Sequence, residues 1–172
     1  RIKMLAHGLQ KILKPMRIPL IINNHVQLAA ELDVDGVHLG QQDMSVREAR
    51  SILGPNKIIG LSIESLSELA IANASDSIDY VTASAVFPTQ TKPDCKTLWG
   101  IDGLEQVVLR SKHPVTAIGG INVQNVRSVM EQGVEGVAVI GALHNAENVA
   151  HTTSQFIESI DSACCVSRGV CL

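Results

Sequence analysis

A cluster of hydroxyl and charged side chains follows one strongly apolar segment of this 172-residue chain. The segment Val86–Asp94 reads VFPTQTKPD and places Thr89, Thr91 and Lys92 between two prolines. Lysine offers a compact positive charge to phosphate oxygens, and threonine hydroxyls donate hydrogen bonds over a short reach. The cluster therefore predicts an anion site, while its composition alone does not exclude a solvated loop.

Two glycine-containing loops offer a second set of donors, this time from the backbone. Gly119 and Gly120 follow one apolar run, and Ile140 and Gly141 follow the next. Glycine lets backbone N–H groups approach an anion closely, and the N-terminus of a following helix favours negative charge. The two loops together predict a phosphate pocket. The alternative is that the Gly-Gly pair only forms a tight turn.

Oxygen-bearing side chains follow three other apolar runs. Asn23 and Asn24 come after the first run, Asp43 comes after the second, and Ser62 ends the third. Proteins usually hold Mg²⁺ with one or two carboxylates together with substrate phosphates, so Asp43 is the best candidate ligand. Asp43 could instead be an ordinary acid close to a helix N-terminus. The Ser62 hydroxyl is able to donate to an anion.

All of these residues lie after short apolar runs that alternate with segments of helical spacing. Ser45 is predicted to cap the helix Val46–Leu53, with Glu48 at its third position, and Asn122 is predicted to cap another helix. Such alternation predicts parallel strands joined by crossover helices. The predicted strands are Pro19–Asn23, Gly36–Gly40, Lys57–Ser62, Tyr80–Val86, Val115–Gly119 and Gly136–Gly141. The other predicted helices cover the stripe from Ile2 to Leu13, a segment beginning at Val26, Glu64–Ala74, Ile101–Arg110, Asn122–Gln132 and Ala146–Ile160.

Two architectures fit this pattern, an open doubly wound sheet and a closed (β/α)₈ barrel. Six strands are two fewer than a barrel needs, and the chain begins with Arg rather than Met. A (β/α)₈ TIM barrel fits if its first two β/α units are missing from this chain. The glycine loops then follow strands seven and eight, where many barrels hold a phosphate.

Composition excludes several classes of function. The net charge is only −3 and aromatic residues make up 2%, so nucleic-acid binding has no support. No apolar run approaches the roughly 20 residues of a membrane span. The four cysteines form no C-x-x-C pair, which favours free thiols and a cytoplasmic protein over a disulfide or a metal role. The histidines share no metal-ligand spacing, and His25 and His38 are expected to be structural or solvent-facing.

Six segments, in this order and spacing, give the chain a resemblance to the thiamine phosphate synthase family. The most specific are GVHLGQ-x-D and FPT-x-TK, and the match runs from Arg1 to about Leu143. The family fold is a (β/α)₈ barrel, so the resemblance implies a (β/α)₈ TIM barrel whose first two β/α units are missing from this chain. The expected organisation is one partial barrel domain, residues 1–162, with an irregular tail, residues 163–172. The matching segments are Leu20–Leu28, Asp35–Asp43, Ile59–Ser62, Val86–Asp94, Ala117–Asn122 and Gly133–Leu143.

The resemblance implies a transferase that joins hydroxymethylpyrimidine diphosphate to a thiazole phosphate and releases diphosphate with the help of Mg²⁺. Its partners are then small molecules, with homo-oligomerisation left open. The implied roles, carried over by position, are diphosphate contacts at Asn23 and Lys92, a hydroxyl near the leaving group at Ser62, and Mg²⁺ ligands at Asp43 and Asn24. The thiazole phosphate is expected to contact Thr89, Thr91, Gly119, Gly120, Ile140 and Gly141, and Lys92 and Ser62 are the expected catalytic residues.

Three departures from the family pattern keep other functions open. Asn24 stands where the family usually has Asp, so Mg²⁺ is expected to bind more weakly. The early Gln-x-Arg-x-Lys pattern of the family is absent. Glu64 stands where the related thiazole tautomerases have a histidine, which argues against that activity. The alternatives are a thiazole tautomerase or another phosphate-binding barrel isomerase, and a truncated relative without activity.

Overall fold

The computed structural model describes residues 2–91 and 95–167. It divides into two compact units. The first contains Arg1–Ser62 and Ala74–Tyr80, and the second contains Ile63–Asn73 and Val81–Leu172. Each unit is an alternation of parallel strands and helices, and its strands are neighbours in the order in which they occur in the sequence.

The first unit contains three parallel strands. Ile22 of β1 lies beside Val37 of β2, and Val37 lies beside Ile59 of β3. Val37, Leu39 and Ile59 have no exposed surface, which is typical of strands covered on both faces. The elements are α1 (Ile2–Leu13), a 3₁₀ turn (Lys14–Met16), β1 (Ile21–Asn23), α2 (Val26–Glu31), β2 (Gly36–Leu39), α3 (Val46–Leu53) and β3 (Ile58–Ile63).

The second unit repeats the pattern with three more strands. Ala83 of β4 lies beside Ala117 of β5, and Ala117 lies beside Val137 of β6. Leu104 and Val107 of the helix after β4 are fully buried. The elements are α4 (Leu66–Ala72), β4 (Tyr80–Ser84), α5 (Gly100–Arg110), β5 (Val115–Ile118), α6 (Val126–Met130), β6 (Gly136–Ala138), α7 (Gly141–His144) and α8 (Val149–Ser167). Tyr80, the first residue of β4, belongs to the first unit, and Ile63, the last residue of β3, belongs to the second.

The structure confirms the predicted α/β class, with all six expected strands present and the strands parallel within each unit. It also confirms the Ser45 cap, because the Ser45 side chain accepts a hydrogen bond from the Glu48 backbone N–H at 3.3 Å. The closed eight-stranded barrel with two preceding units, and the single-domain boundary at residue 162, stay predictions. No helix in the described part of the chain is long and apolar enough to cross a membrane.

Two local predictions need correction. Asn122 is not the N-cap of α6, because that helix begins at Val126 and Asn125 occupies the cap position. The Asn122 carboxamide instead accepts from the Gln124 backbone N–H at 2.9 Å and closes a turn before the helix. The expected irregular tail is helical up to Ser167, since α8 continues five residues beyond 162. The 3₁₀ turn and α7 were not predicted.

Candidate active site

The loop after β1 carries the first two predicted site residues, and both side chains are exposed. Asn23 ends the strand. Asn24 has a backbone φ of +65°, a left-handed conformation that asparagine tolerates better than most residues. Its N–H donates to the His38 backbone carbonyl at 2.9 Å, so this loop is held against β2. The structure therefore places both amides at the carboxyl end of β1.

The loop after β2 is a closed turn built around Asp43. One carboxylate oxygen accepts from the Gly40 backbone N–H at 2.7 Å, and the Asp43 N–H donates to the Gly40 carbonyl at 3.2 Å. Gln41 reaches across to β3 and donates from its side chain to the Ser62 carbonyl at 2.8 Å. Asp43 is thus fixed at the same edge as Asn24, because β1 and β2 are adjacent and parallel.

Ser62 belongs to a chain of three side chains. Its hydroxyl lies 2.9 Å from His38 Nε2, and His38 Nδ1 lies 2.9 Å from the Tyr80 hydroxyl. The His38 and Tyr80 ring centroids are 5.5 Å apart. The sequence prediction for His38 allowed a structural or a solvent-facing role. The structure shows a half-buried histidine that is hydrogen-bonded to a predicted site residue.

Glycine at position 60 makes this arrangement possible. Gly60 pairs with His38 in the parallel ladder of β2 and β3. A Cβ at Gly60 would overlap the Tyr80 ring and lie 2.5 Å from His38 Nδ1. The Asp79 carboxylate, beside Tyr80, accepts from the Ile59 N–H at 2.7 Å, and the Asp79 backbone N–H donates to the Ile59 carbonyl at 2.8 Å. The backbone therefore holds the phenol over the glycine.

The surroundings of His38 and Tyr80 keep the imidazole and the phenol neutral near pH 7. Burial lowers the pKa of His38 below its usual 6.5, and the negative charge of Asp43 opposes that shift more weakly. Burial also raises the pKa of the Tyr80 phenol above its usual 10.0. A neutral imidazole has one nitrogen that donates and one that accepts. The three residues can therefore be joined by two directional hydrogen bonds.

Tyr80 offers a direct test of this environment, because it is the only tyrosine in the protein. We expect its phenol to ionise above pH 10 in the folded protein, since burial disfavours the phenolate. The raised pKa also means that Tyr80 contributes stability fully below pH 10, and that this contribution is lost as the pH rises through the folded-state pKa. Phenolate absorbance followed during an alkaline titration measures the midpoint. The same titration in denaturant is the control, and coinciding midpoints would contradict the prediction.

In the second unit, the segment after β4 packs directly against the Gly119–Gly120 turn. The Val86 N–H donates to the Ile118 carbonyl at 2.8 Å, and the Phe87 N–H donates to the Gly119 carbonyl at 3.0 Å. Gly119 and Gly120 have φ values of +102° and +64°. A Cβ at Gly120 would lie 2.6 Å from the Pro88 carbonyl oxygen and 2.7 Å from Phe87 Cβ. Only glycine fits the turn in this packing.

The predicted hydroxyl donors lie in the same part of the second unit. Thr89 is half-buried, and its hydroxyl accepts from the Thr91 backbone N–H at 3.3 Å. The Thr91 hydroxyl oxygen would be 4.0 Å from a Cβ placed on Gly141, so this loop approaches the segment after β6. Ile140 is exposed at that segment. The structure thus brings Thr91 close to Gly141, while Phe87, in the same loop, contacts the glycine turn. Lys92 lies outside the described residues.

One residue that the sequence did not single out, Asn125, supports the glycine turn. Asn125 donates from its side chain to the Gly120 carbonyl at 3.0 Å and accepts from the Asn122 N–H at 2.8 Å. The spacing G-x-N-x-x-N is the signal that was available. Tyr80 and Gly60 were also not predicted. The one available sequence signal for this contact is that Gly60 lies two residues before Ser62, and therefore on the same face of β3.

These features describe a parallel α/β protein with hydroxyl, amide and glycine-amide groups at the carboxyl ends of its strands, as expected of a protein that binds phosphorylated ligands. The family model described as thiamine monophosphate synthase matches residues 1–143. The chain belongs to this family.

Individual relatives agree with this assignment. The thiamine-phosphate synthase of Chlamydia abortus is 46% identical over 156 residues, which are 91% of this chain and 73% of the relative. The thiamine-phosphate synthase of Vibrio parahaemolyticus is 44% identical over 91% of this chain and 76% of the relative. Among solved structures, thiamine phosphate pyrophosphorylase from Pyrococcus furiosus superposes with a TM-score of 0.85 at 36% identity, covering 94% of this chain and 76% of the other.

Proposed function

We propose that this chain catalyses the transfer of a pyrimidinylmethyl group from hydroxymethylpyrimidine diphosphate to the ring nitrogen of a thiazole phosphate. The products are thiamine phosphate and diphosphate, so the protein acts in thiamine biosynthesis. Membership of the family supports this transferase activity. The observation that supports it in the structure is the packing of Phe87 and Pro88, directly before Thr89, against the Gly119–Gly120 turn.

The reaction requires little acid–base chemistry. The C–O bond to the diphosphate breaks, and its electron pair leaves with the diphosphate. The pyrimidine ring stabilises the resulting cation, and the lone pair of the thiazole nitrogen then forms the new C–N bond. The protein must stabilise the departing negative charge and keep water away from the cation. Hydrogen-bond donors and a cation at the leaving group are therefore the groups that such a reaction needs.

In the first unit, Asn23 and Ser62 are the proposed contacts of the diphosphate. Asn23 offers an exposed amide at the end of β1, and Ser62 offers a hydroxyl near the end of β3. Lys92, from the FPT-x-TK segment, is proposed to contribute the positive charge. The roles of these three residues follow from the family resemblance together with their positions after strands.

In the second unit, the proposed ligand is the phosphate of the thiazole. Thr89 and Thr91 would donate hydroxyl hydrogen bonds to it. Backbone amides at Gly119, Gly120, Ile140 and Gly141 would complete the pocket. Because Gly120 is held by Asn125 and packs on Phe87, its conformation is fixed before a ligand arrives. Preorganised donors of this kind lose little entropy on binding.

Mg²⁺ is the metal that the family implies. Among the described residues, no group of three or more His, Cys, Asp or Glu side chains could hold a metal ion. Asp43 and Asn24 follow adjacent parallel strands and offer one carboxylate and one amide oxygen. This donor set fits Mg²⁺ only with substrate phosphates as further ligands, which is how proteins commonly bind it. Bound there, Mg²⁺ would neutralise charge on the diphosphate.

Replacing Asn24 with Asp is expected to lower the Mg²⁺ concentration needed for half-maximal turnover by about tenfold, which corresponds to about 1.4 kcal/mol. The added carboxylate supplies a charge that the amide lacks. A magnesium titration of initial rates compares the two proteins. Asn56→Asp is the matched control, since it adds the same charge in the exposed turn before β3. Superimposable titration curves for wild type and Asn24→Asp would contradict the metal assignment.

The function itself is tested by incubating the purified protein with both phosphorylated substrates and Mg²⁺. We expect thiamine phosphate and diphosphate to form in equal amounts, and only when both substrates are present. Omission of each substrate in turn is the control. A protein that binds both phosphates without forming thiamine phosphate would contradict the proposal. The cytoplasmic location and any homo-oligomer stay predictions.

A further inference from the structure

The Tyr80–His38–Ser62 chain has two possible hydrogen-bond directions when His38 is neutral. In the first, the Tyr80 hydroxyl donates to Nδ1, and Nε2–H donates to the Ser62 oxygen. In the second, Nδ1–H donates to the Tyr80 oxygen, and the Ser62 hydroxyl donates to Nε2. The two differ only in which imidazole nitrogen carries the hydrogen.

The direction decides what Ser62 presents to a ligand. In the first arrangement the Ser62 oxygen accepts from His38, and its hydrogen stays free to donate to another group. In the second arrangement the hydrogen is used on His38, so the oxygen lone pairs face outward. An anionic oxygen would be attracted by the first and repelled by the second. Donation from Ser62 to an anion therefore requires the Nε2–H tautomer of His38.

The surroundings favour the first direction. Within the described part of the chain, His38 Nδ1 is the only hydrogen-bond partner of the Tyr80 hydroxyl. In the second arrangement the phenol hydrogen would have no acceptor among the described residues at this half-buried position, which costs free energy. Among the described residues, the groups that face His38 are Tyr80 from β4, Ser62 from β3 and the negative charge of Asp43 from the loop after β2. Of these groups, only the Tyr80 hydroxyl lies beside Nδ1, and it can donate its hydrogen to that nitrogen.

We propose that Tyr80 and His38 are positioning residues that fix the Nε2–H tautomer, so that the Ser62 hydroxyl hydrogen is free to donate to the departing diphosphate. The inference rests on the proposed function, because it takes an anionic substrate oxygen as the partner of Ser62. Beyond the proposed function, the inference states that the His38 tautomer is fixed before substrate binds. Gly60 and the two hydrogen bonds between Asp79 and Ile59 hold the phenol in the position that this requires.

The tautomer can be measured without substrate by ¹⁵N NMR of the ligand-free protein labelled at histidine. The protein has six histidines, and the signals that disappear in His38→Gln identify His38. We expect an unprotonated Nδ1 and a protonated Nε2 at pH 7.5. Tyr80→Phe keeps the ring but removes the donor, so its His38 signals should shift toward a mixture of tautomers. A wild-type proton on Nδ1, or signals unchanged in Tyr80→Phe, would overturn the inference.

Turnover gives a second readout that a purely structural role would not move. The amide of His38→Gln can place an N–H near the Nε2 position, whereas His38→Asn reaches only the Nδ1 position. We expect the Gln variant to keep a kcat about tenfold above that of the Asn variant, the factor that about 1.4 kcal/mol of one hydrogen bond represents. Tyr80→Phe should lower kcat more than it raises KM.

His151→Gln is the matched control, because His151 is exposed on α8. It should leave kcat unchanged. Equal kcat values for the Gln and Asn variants, together with a normal kcat for Tyr80→Phe, would overturn the positioning role. A wild-type protein that makes no thiamine phosphate would instead contradict the proposed function, and the NMR tautomer would then decide the inference by itself.

Discussion

Alanine at position 120 is expected to reduce kcat/KM for the thiazole phosphate by about 100-fold, the order of loss that follows when a binding group moves by about 1 Å. The added Cβ would meet the Pro88 carbonyl oxygen at 2.6 Å and Phe87 Cβ at 2.7 Å, so the backbone itself must move. The left-handed φ of +64° adds a strain of roughly 1–2 kcal/mol. The overlap adds about 1–3 kcal/mol of destabilisation.

Two measurements separate the effects on activity and folding. Urea unfolding of Gly120→Ala gives the loss in free energy of unfolding, and steady-state kinetics with the thiazole phosphate varied gives kcat/KM. Gly136→Ala is the matched control in the same unit, since a Cβ there meets no atom within 4 Å. It should change stability by no more than about 1 kcal/mol. A Gly120→Ala protein with the kinetics of this control would contradict the phosphate pocket.

Lys92→Ala is expected to lower kcat by about 10²–10³-fold, the range found when one donor to a developing anion is removed. The reason is that the lysine charge is proposed to face the diphosphate as it departs, when its negative charge increases. The effect should appear in kcat more than in KM, because the charge on the leaving group is greatest in the transition state. Single-turnover measurements of thiamine phosphate formation test this directly.

Lys96→Ala is the matched control, because Lys96 is an exposed lysine four residues after Lys92 in the same connection between β4 and α5. It should retain nearly full kcat. Fluorescence of Trp99, the only tryptophan, shows whether either substitution disturbs the fold of that segment. Near-normal turnover in Lys92→Ala would mean that this lysine does not stabilise the leaving group, and equal losses in both variants would indicate a general electrostatic effect.

The sequence predicted the strands because their signal is local. Six short apolar runs, rich in β-branched residues, became the six strands, and Leu39, Ile59 and Val81 within them are fully buried. Polar residues directly after these runs were expected at the strand ends for the same reason. Asn23, Asp43 and Ser62 were therefore found at the carboxyl ends of parallel strands without any knowledge of their distances.

Some local predictions failed where several polar side chains compete for the same backbone groups. Asn122 and Asn125 are both good N-caps by type, and Asn122 was predicted because it directly follows a strand. In the structure Asn125 bonds to the Gly120 carbonyl and to the Asn122 N–H, and α6 begins after it. The choice between them depends on the packing of the glycine turn, which lies outside the local sequence pattern.

The sequence by itself determined the alternation of strands and helices, the family, and which residues follow each strand. These follow from hydrophobic periodicity and from segments whose residue types and spacing can be compared directly. Only the tertiary structure decided that His38 joins Tyr80 to Ser62 across Gly60, because that contact depends on strand register. A register shift of one residue would turn His38 to the opposite face of the sheet, and no local pattern around His38 or Tyr80 specifies it.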